Sequence, residues 1–205
     1  MLSELLLQFK NDISFFNLFE YLTFKTAISA ITALIISFII GPITIKNLQQ
    51  YQIGEEIRSN GPESHLAKRG TPTMGGVIII LSTLLPTLLF SDLSNIMVLI
   101  IALSTLWMGV IGFIDDYLKI IIKAKDGMIA RYKMIGQILL GVIISYAIIN
   151  SNDFNGFNTK TTIPFFKNFE FDFGIFYPLL VILVITATSN AVNLTDGLDG
   201  LAKAY

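Results

Sequence analysis

Four polar residues recur at intervals of three near the end of the chain: Asn190, Asn193, Asp196 and Asp199, within Asn-Ala-Val-Asn-Leu-Thr-Asp-Gly-Leu-Asp-Gly. They follow a long apolar run that starts near Ile175. Carboxylates and carboxamides at the mouth of a hydrophobic helix are costly there, and such residues mark functional sites. On a helix each step of three falls about 60° short of a full turn, so the four make a broad polar face. A single Asn or Asp would suffice to cap free N–H groups. Four at regular spacing point to ligand binding, and Gly197 and Gly200 let a backbone approach a ligand closely.

A second constellation is the pair Asp115 and Asp116, which closes an apolar segment after Gly109-Val-Ile-Gly-Phe-Ile. The C-terminal end of a helix is the negative end of its dipole, and adjacent carboxylates add to the cost. Something cationic must compensate. A divalent metal is one candidate, since it prefers carboxylate oxygens. The other is a following lysine: Lys119 lies four residues after Asp115 and three after Asp116, one turn away. A third stretch, Lys68-Arg69-Gly70-Thr71-Pro72-Thr73-Met74-Gly75-Gly76, leads into an apolar segment. Its cations, hydroxyls and glycines suit a phosphate at a helix N-terminus, though taken alone it also reads as an ordinary basic loop with a Pro turn. It is not a P-loop, because no Gly-Lys-Ser/Thr follows. Lys123, Lys125, Arg131 and Lys133 form a basic stretch suited to the membrane surface, with one or two free to hold a lipid phosphate or pyrophosphate. The one histidine, His65, sits in a polar loop and supplies no catalytic arrangement.

The elements that must carry these groups are membrane helices. The 205 residues are 53% hydrophobic and 14% charged, with a mean hydropathy of +0.68; soluble domains carry about 25% charged residues. Five segments approach the roughly 20 residues needed to span a bilayer, near 24–45, 74–90, 96–114, 134–150 and 175–193. Residues 1–20 read as an amphipathic lead-in, with Phe15, Phe16 and Phe19 suited to the interface. Pro42 and Pro86 are expected to kink their helices. The expected fold is an all-α, polytopic transmembrane bundle of about five spanning helices plus the start of a sixth, in a single membrane domain over 1–205.

Charge sets the expected topology. The loops 46–73 and 115–133 hold nine Lys and Arg, against two (Lys160 and Lys167) in the loops 91–95 and 151–174. The positive-inside rule puts the first pair in the cytoplasm and the N-terminus outside. All three polar stretches then open on the cytoplasmic face, and Asp115, Asp116, Asn193 and Asp196 are expected to converge on one cleft there. That placement also discounts Asn193-Leu194-Thr195 as a glycosylation acceptor. The outer loop 151–174 carries Phe165, Phe166, Phe169, Phe171 and Phe173, which fits an interfacial aromatic belt or a short hairpin on the outer leaflet. A net charge of −1 suggests no nucleic-acid partner, and zero cysteines exclude disulfides and thiolate metal sites.

Lys68–Gly76 (KRGTPTMGG), Gly112–Lys119 (GFIDDYLK), Arg131–Gln137 (RYKMIGQ) and Asn190–Ala202 (NAVNLTDGLDGLA) together resemble the polyprenyl-phosphate N-acetylhexosamine 1-phosphate transferase family. The Gly-Thr-Pro-Thr-Met-Gly-Gly stretch points to its muramoyl-pentapeptide branch. The resemblance implies a bacterial plasma-membrane enzyme with a cytoplasmic active face, Mg²⁺ as cofactor and a homodimer as assembly. It implies transfer of a phospho-sugar from UDP-N-acetylmuramoyl-pentapeptide to undecaprenyl phosphate, with release of UMP. By the same resemblance Asp115 and Asp116 would act on the lipid phosphate, and Asn193 and Asp116 would meet the metal. Asn190, Asp196 and Asp199 would line the nucleotide-sugar site, and Lys68, Thr73, Lys119 and Lys133 would contact phosphates or donor. Family members resemble a ten-helix protein, so the chain reads as an N-terminal half, with a further metal-binding acid and a histidine-rich loop expected in the remainder and little activity expected without it. Two other readings are a sibling transferase using another UDP-N-acetylhexosamine and a non-catalytic membrane subunit.

Overall fold

The computed structural model describes residues 2–50, 74–122, 127–151, 159–162 and 170–197. The chain divides into two compact units, Met1–Met128 and Ile129–Tyr205. In the first, α1 (Leu2–Gln8) and a 3-10 turn (Ser14–Glu20) precede α2 (Leu22–Gln50), α3 (Gly76–Phe90) and α4 (Ile96–Ile120). The second holds α5 (Ala130–Asn150), a hairpin of β1 (Lys160–Thr162) and β2 (Glu170–Asp172), a turn at Gly174–Phe176 and α6 (Tyr177–Gly197).

Four of these helices, α2, α4, α5 and α6, are long and apolar enough to cross a membrane, and they make this a multi-pass membrane protein. Their faces expose Leu, Ile and Phe in quantity, the opposite of a soluble core and suited to lipid. Many hydroxyls within the apolar helices are satisfied locally, Ser82 Oγ on α3 being a buried exception. Thr26, Thr32, Thr87, Thr105, Thr186 and Thr188 each donate to the carbonyl four residues back, which no water is needed to complete.

The fifth apolar segment, expected over 74–90, forms the 15-residue α3. At 1.5 Å per residue that is about 22 Å, against a hydrocarbon thickness of about 30 Å. Its start is set back by Met74, whose φ of 70° is left-handed and leaves the helix to begin at Gly76. The other spans run beyond their apolar cores. α4 continues through Asp115 and Asp116 to Ile120, and α5 begins before Arg131 and Lys133. Pro42 and Pro86 both lie inside continuous helices.

Packing within the first unit is antiparallel. Phe19 is buried within the unit; its ring meets Phe24 at 5.1 Å edge-on and Phe90 at 6.3 Å stacked. The start of α2 therefore sits beside the end of α3. Ser3 Oγ donates to the Phe90 carbonyl at 3.1 Å and satisfies an orphan acceptor of α3. Asn95 caps α4, its Oδ1 accepting the Met97 N–H at 2.9 Å.

In the second unit β1 and β2 pair antiparallel, Lys160 opposite Asp172, so part of the stretch 151–174 is a hairpin. Phe171 and Phe173 meet edge-on at 4.7 Å.

Candidate functional site

Antiparallel packing of α3 on α4 brings the N-terminus of the first to the C-terminal half of the second. Met74, Gly76, Val77, Ile80, Gly109, Gly112, Phe113 and Asp116 line a cleft of about 160 Å³ there. Asp116 is the one charged residue in that lining. Gly109 permits the close approach: a Cβ on it would collide with the Ile80 side chain. Met74 is buried in its left-handed conformation, an unfavourable state for a bulky residue and one that clusters at functional sites.

Asp115 faces differently. It is only 8% exposed, and both of its oxygens are engaged. Lys119 Nζ pairs with Oδ2 at 3.0 Å, one turn on, and the Met128 backbone N–H donates to Oδ1 at 2.8 Å. Lysine thus answers the cost of the Asp pair at Asp115. The approach of Met128 depends on Gly127. Its φ is +62°, and a Cβ there would lie 2.5 Å from Asp115 Oδ1 and 2.7 Å from Lys119 Cε.

In the second unit, Gly141 packs against the α6 backbone so closely that a Cβ would lie 2.9 Å from Ile182 Cα. One turn back, Gln137 is buried and bonded across the helix pair. Its Nε2 donates to Ser189 Oγ at 3.0 Å, and its Oε1 accepts from Asn190 Nδ2 at 3.1 Å. Asn190 Nδ2 also donates to the Thr186 carbonyl at 2.8 Å. Lys133 lies one turn before Gln137 on α5, and Asn193 about one turn beyond Asn190 on α6. The antiparallel pairing therefore sets both at the same end of this unit. Asn193 is exposed, and Asp196 lies on the last turn of α6.

Among the residues expected to carry chemistry, Asp115, Asp116 and Lys119 gather in the first unit, and Lys133, Asn190, Asn193 and Asp196 in the second. Lys68, Thr73 and Asp199 lie outside the described residues, as do Lys123, Lys125 and His65. Gly127, Met128 and Gln137 had drawn no attention as individual residues. Only a left-handed glycine signal marks the first, and a lone carboxamide in an apolar helix marks the last. Among the described residues no three His, Asp or Glu side chains converge. Asp116 in the cleft wall and Asn193 near the end of α6 offer oxygen ligands of the kind Mg²⁺ takes.

Comparison with known proteins places these features. Signature 1 of the phospho-N-acetylmuramoyl-pentapeptide-transferases matches residues 68–80, the lead into α3 and its first turn. A protein of that name from Desulforapulum autotrophicum is 50% identical over 202 residues, covering 98% of this chain and 55% of the relative. Proteins of the same name from Pelobacter propionicus and Chlorobaculum parvum are 47% and 48% identical, covering 98% and 89% of this chain and 56% and 50% of their own lengths. The chain spans about half the length of the curated relatives it matches. A model of glycosyl transferase family 4 matches residues 98–205, from the apolar body of α4 through the Asp pair and the whole second unit, and the chain belongs to that family.

Proposed function

We propose that this protein supplies the membrane half-site of a transferase that moves phospho-N-acetylmuramoyl-pentapeptide from its UDP carrier to undecaprenyl phosphate. The observation that carries the reading is the match of residues 68–80 to the transferase signature, on the segment that walls the Asp116 cleft with Met74, Gly76 and Val77. The 45–50% identity to relatives of that name supports it.

In the reaction an oxygen of the acceptor phosphate attacks the phosphorus attached to the sugar. The bond from that phosphorus to the bridging oxygen breaks, UMP leaves with the bond electrons, and a lipid pyrophosphate forms. Such transfers depend on positioning and charge neutralisation more than on covalent chemistry. Asp116 and Asn193 would each offer an oxygen to Mg²⁺, which would supply part of that charge when bound. Asp115, fixed through both oxygens, stands beside Asp116 to act on the acceptor phosphate. Lys133, Asp196 and Asp199 serve the donor, and Lys68, Thr73 and Lys119 the phosphates. The membrane is the bacterial plasma membrane, and the active face is cytoplasmic, as the nine-to-two distribution of Lys and Arg argues. A reporter fused after Lys125 should behave as cytoplasmic.

The test is a hybrid in which these 205 residues replace the matching part of the Desulforapulum autotrophicum relative. With Mg²⁺ in detergent it should transfer labelled phospho-muramoyl-pentapeptide to a polyprenyl phosphate and release UMP. An inactive hybrid beside an active parent would overturn the reading. Preference for UDP-N-acetylglucosamine would reassign it to a sibling activity.

A further inference from the structure

Gln137 is a carboxamide buried on a helix that crosses the membrane, with 4% of its surface exposed. A buried amide in such a helix is unfavourable unless its hydrogen bonds are made within the protein. Both ends of this one are satisfied by a single partner helix, the nitrogen by Ser189 and the oxygen by Asn190. Asn190 in turn has its side-chain nitrogen divided between Gln137 and the Thr186 carbonyl. Ser189 and Asn190 are adjacent, so they leave α6 about 100° apart around its axis. A clamp gripping two such directions fixes the rotation of α6 as well as its depth. The Gly141–Ile182 crossing fixes only the distance between helices.

We infer that Gln137 and Asn190 are positioning residues: their interlocked amides set the rotation of α6 and so the direction in which Asn193 faces. Asn193 stands about one turn beyond Asn190, so any rotation at the clamp is carried to it directly. Asn190 then serves the nucleotide-sugar site through the helix, its side-chain nitrogen being committed to Gln137 and the Thr186 carbonyl. The role assigned to Asn193 rests on the proposed function; the clamp does not.

The chain has no cysteine, so introduced pairs report alone. Tyr132→Cys on α5 and Leu194→Cys on α6 replace exposed side chains and accept spin labels without entering the packing. In this chain in detergent the labelled pair should give one narrow distance. Gln137→Leu should shift or split it, with helix content unchanged. The exchange Gln137→Asn with Asn190→Gln keeps the combined reach of the two amides, and it should restore the single distance that either change alone loses. In the hybrid transferase Gln137→Leu should raise the KM for the UDP-linked donor by about tenfold, a usual effect of losing a partner that orients a ligand-bearing residue, and leave the acceptor KM unchanged. The exchange pair should recover the donor KM. An unaltered distance in Gln137→Leu would overturn the inference whether or not the hybrid is active. An inactive unsubstituted hybrid would instead count against the proposed function.

Discussion

Asp115 Oδ1 accepts the backbone N–H of Met128 at 2.8 Å, tying the last residue of the first unit to α4. The bond exists because Gly127 turns left-handed beside the carboxylate and carries no Cβ. Gly127→Ala should therefore destabilise the first unit. A non-glycine residue in this conformation costs about 1–2 kcal/mol, before Asp115 and Lys119 move to make room. Gly174→Ala is the control, because Gly174 is also left-handed, with φ of +48°, but has open space around it. Thermal unfolding in detergent should show the larger loss for Gly127→Ala. Equal losses would mean that the contact with Asp115 adds nothing.

Two other glycines differ in what they face. At Gly141 an added methyl meets the α6 backbone at Ile182, which cannot step aside. At Gly109 it meets the terminal methyl of Ile80, which can rotate away. Overpacking costs about 1–3 kcal/mol, and Gly141→Ala should fall at the upper end and Gly109→Ala at the lower. The comparison is made by unfolding each variant in the same detergent.

Asp172 gives a pH prediction outside the spans. Thr159 Oγ1 donates to its Oδ1 at 2.6 Å and the Gly174 N–H at 2.9 Å. The Thr159 bond first, and then the Gly174 bond, hold the carboxyl below its usual range. A depressed carboxylate stabilises the fold above the unfolded value, about 3.9, and that contribution is lost as pH falls through the lower folded value. The β1–β2 hairpin should loosen only in strong acid. Thr159→Val should bring the loosening to higher pH, and Asp172→Asn should make it independent of pH. Chemical shifts of Thr161 and Phe171 followed through an acid titration would check all three.

The sequence showed the spans and much of the local chemistry because those signals are local. The runs near 24–45, 96–114, 134–150 and 175–193 hold apolar residues in bulk, and each became a helix. Lys119 was legible as a partner for Asp115 because spacing of four on a helix places both on one face. Helix ends were less legible. Hydropathy stops at Ile114, yet α4 runs to Ile120, since Asp and Lys one turn apart favour a helix regardless of polarity. The contacts that left no trace are those made across long separations: Phe19 on Phe90, Met128 on Asp115, and Gln137 on Ser189 and Asn190. No periodicity in the chain records a partner some 13 to 71 positions away.

Gly112 separates stability from function. It lines the Asp116 cleft, and an added Cβ would meet nothing within 4 Å. Gly112→Ala should leave the helix as stable or raise its stability by about 0.5–1 kcal/mol through propensity. The same methyl narrows the cleft. In the hybrid transferase it should lower transfer while Tm holds or rises. Full activity would show that the cleft beside Asp116 is not where substrate enters, and a fall in Tm that the added methyl is not accommodated.

The last prediction separates the two aspartates by what surrounds them. Asp115 is committed to Lys119 and Met128, so its charge is already balanced within the protein. Asp116 is the one charged residue in the wall of the α3–α4 cleft. Asp116→Asn keeps the size of the side chain and removes its charge, so the helices should insert as before. Charge stabilisation at a transferring phosphoryl group acts mainly in the transition state. Its loss should therefore lower kcat by roughly 10²–10³-fold in the hybrid and change the donor KM little. The requirement for Mg²⁺ should change with it, since a carboxylate ligand has been replaced by a weaker amide oxygen. The measurement is initial-rate transfer against donor and Mg²⁺ concentration, with helix content checked by circular dichroism. Undiminished kcat, with an unchanged Mg²⁺ dependence, would remove Asp116 from the mechanism and leave the cleft it lines as a packing feature of α3 and α4.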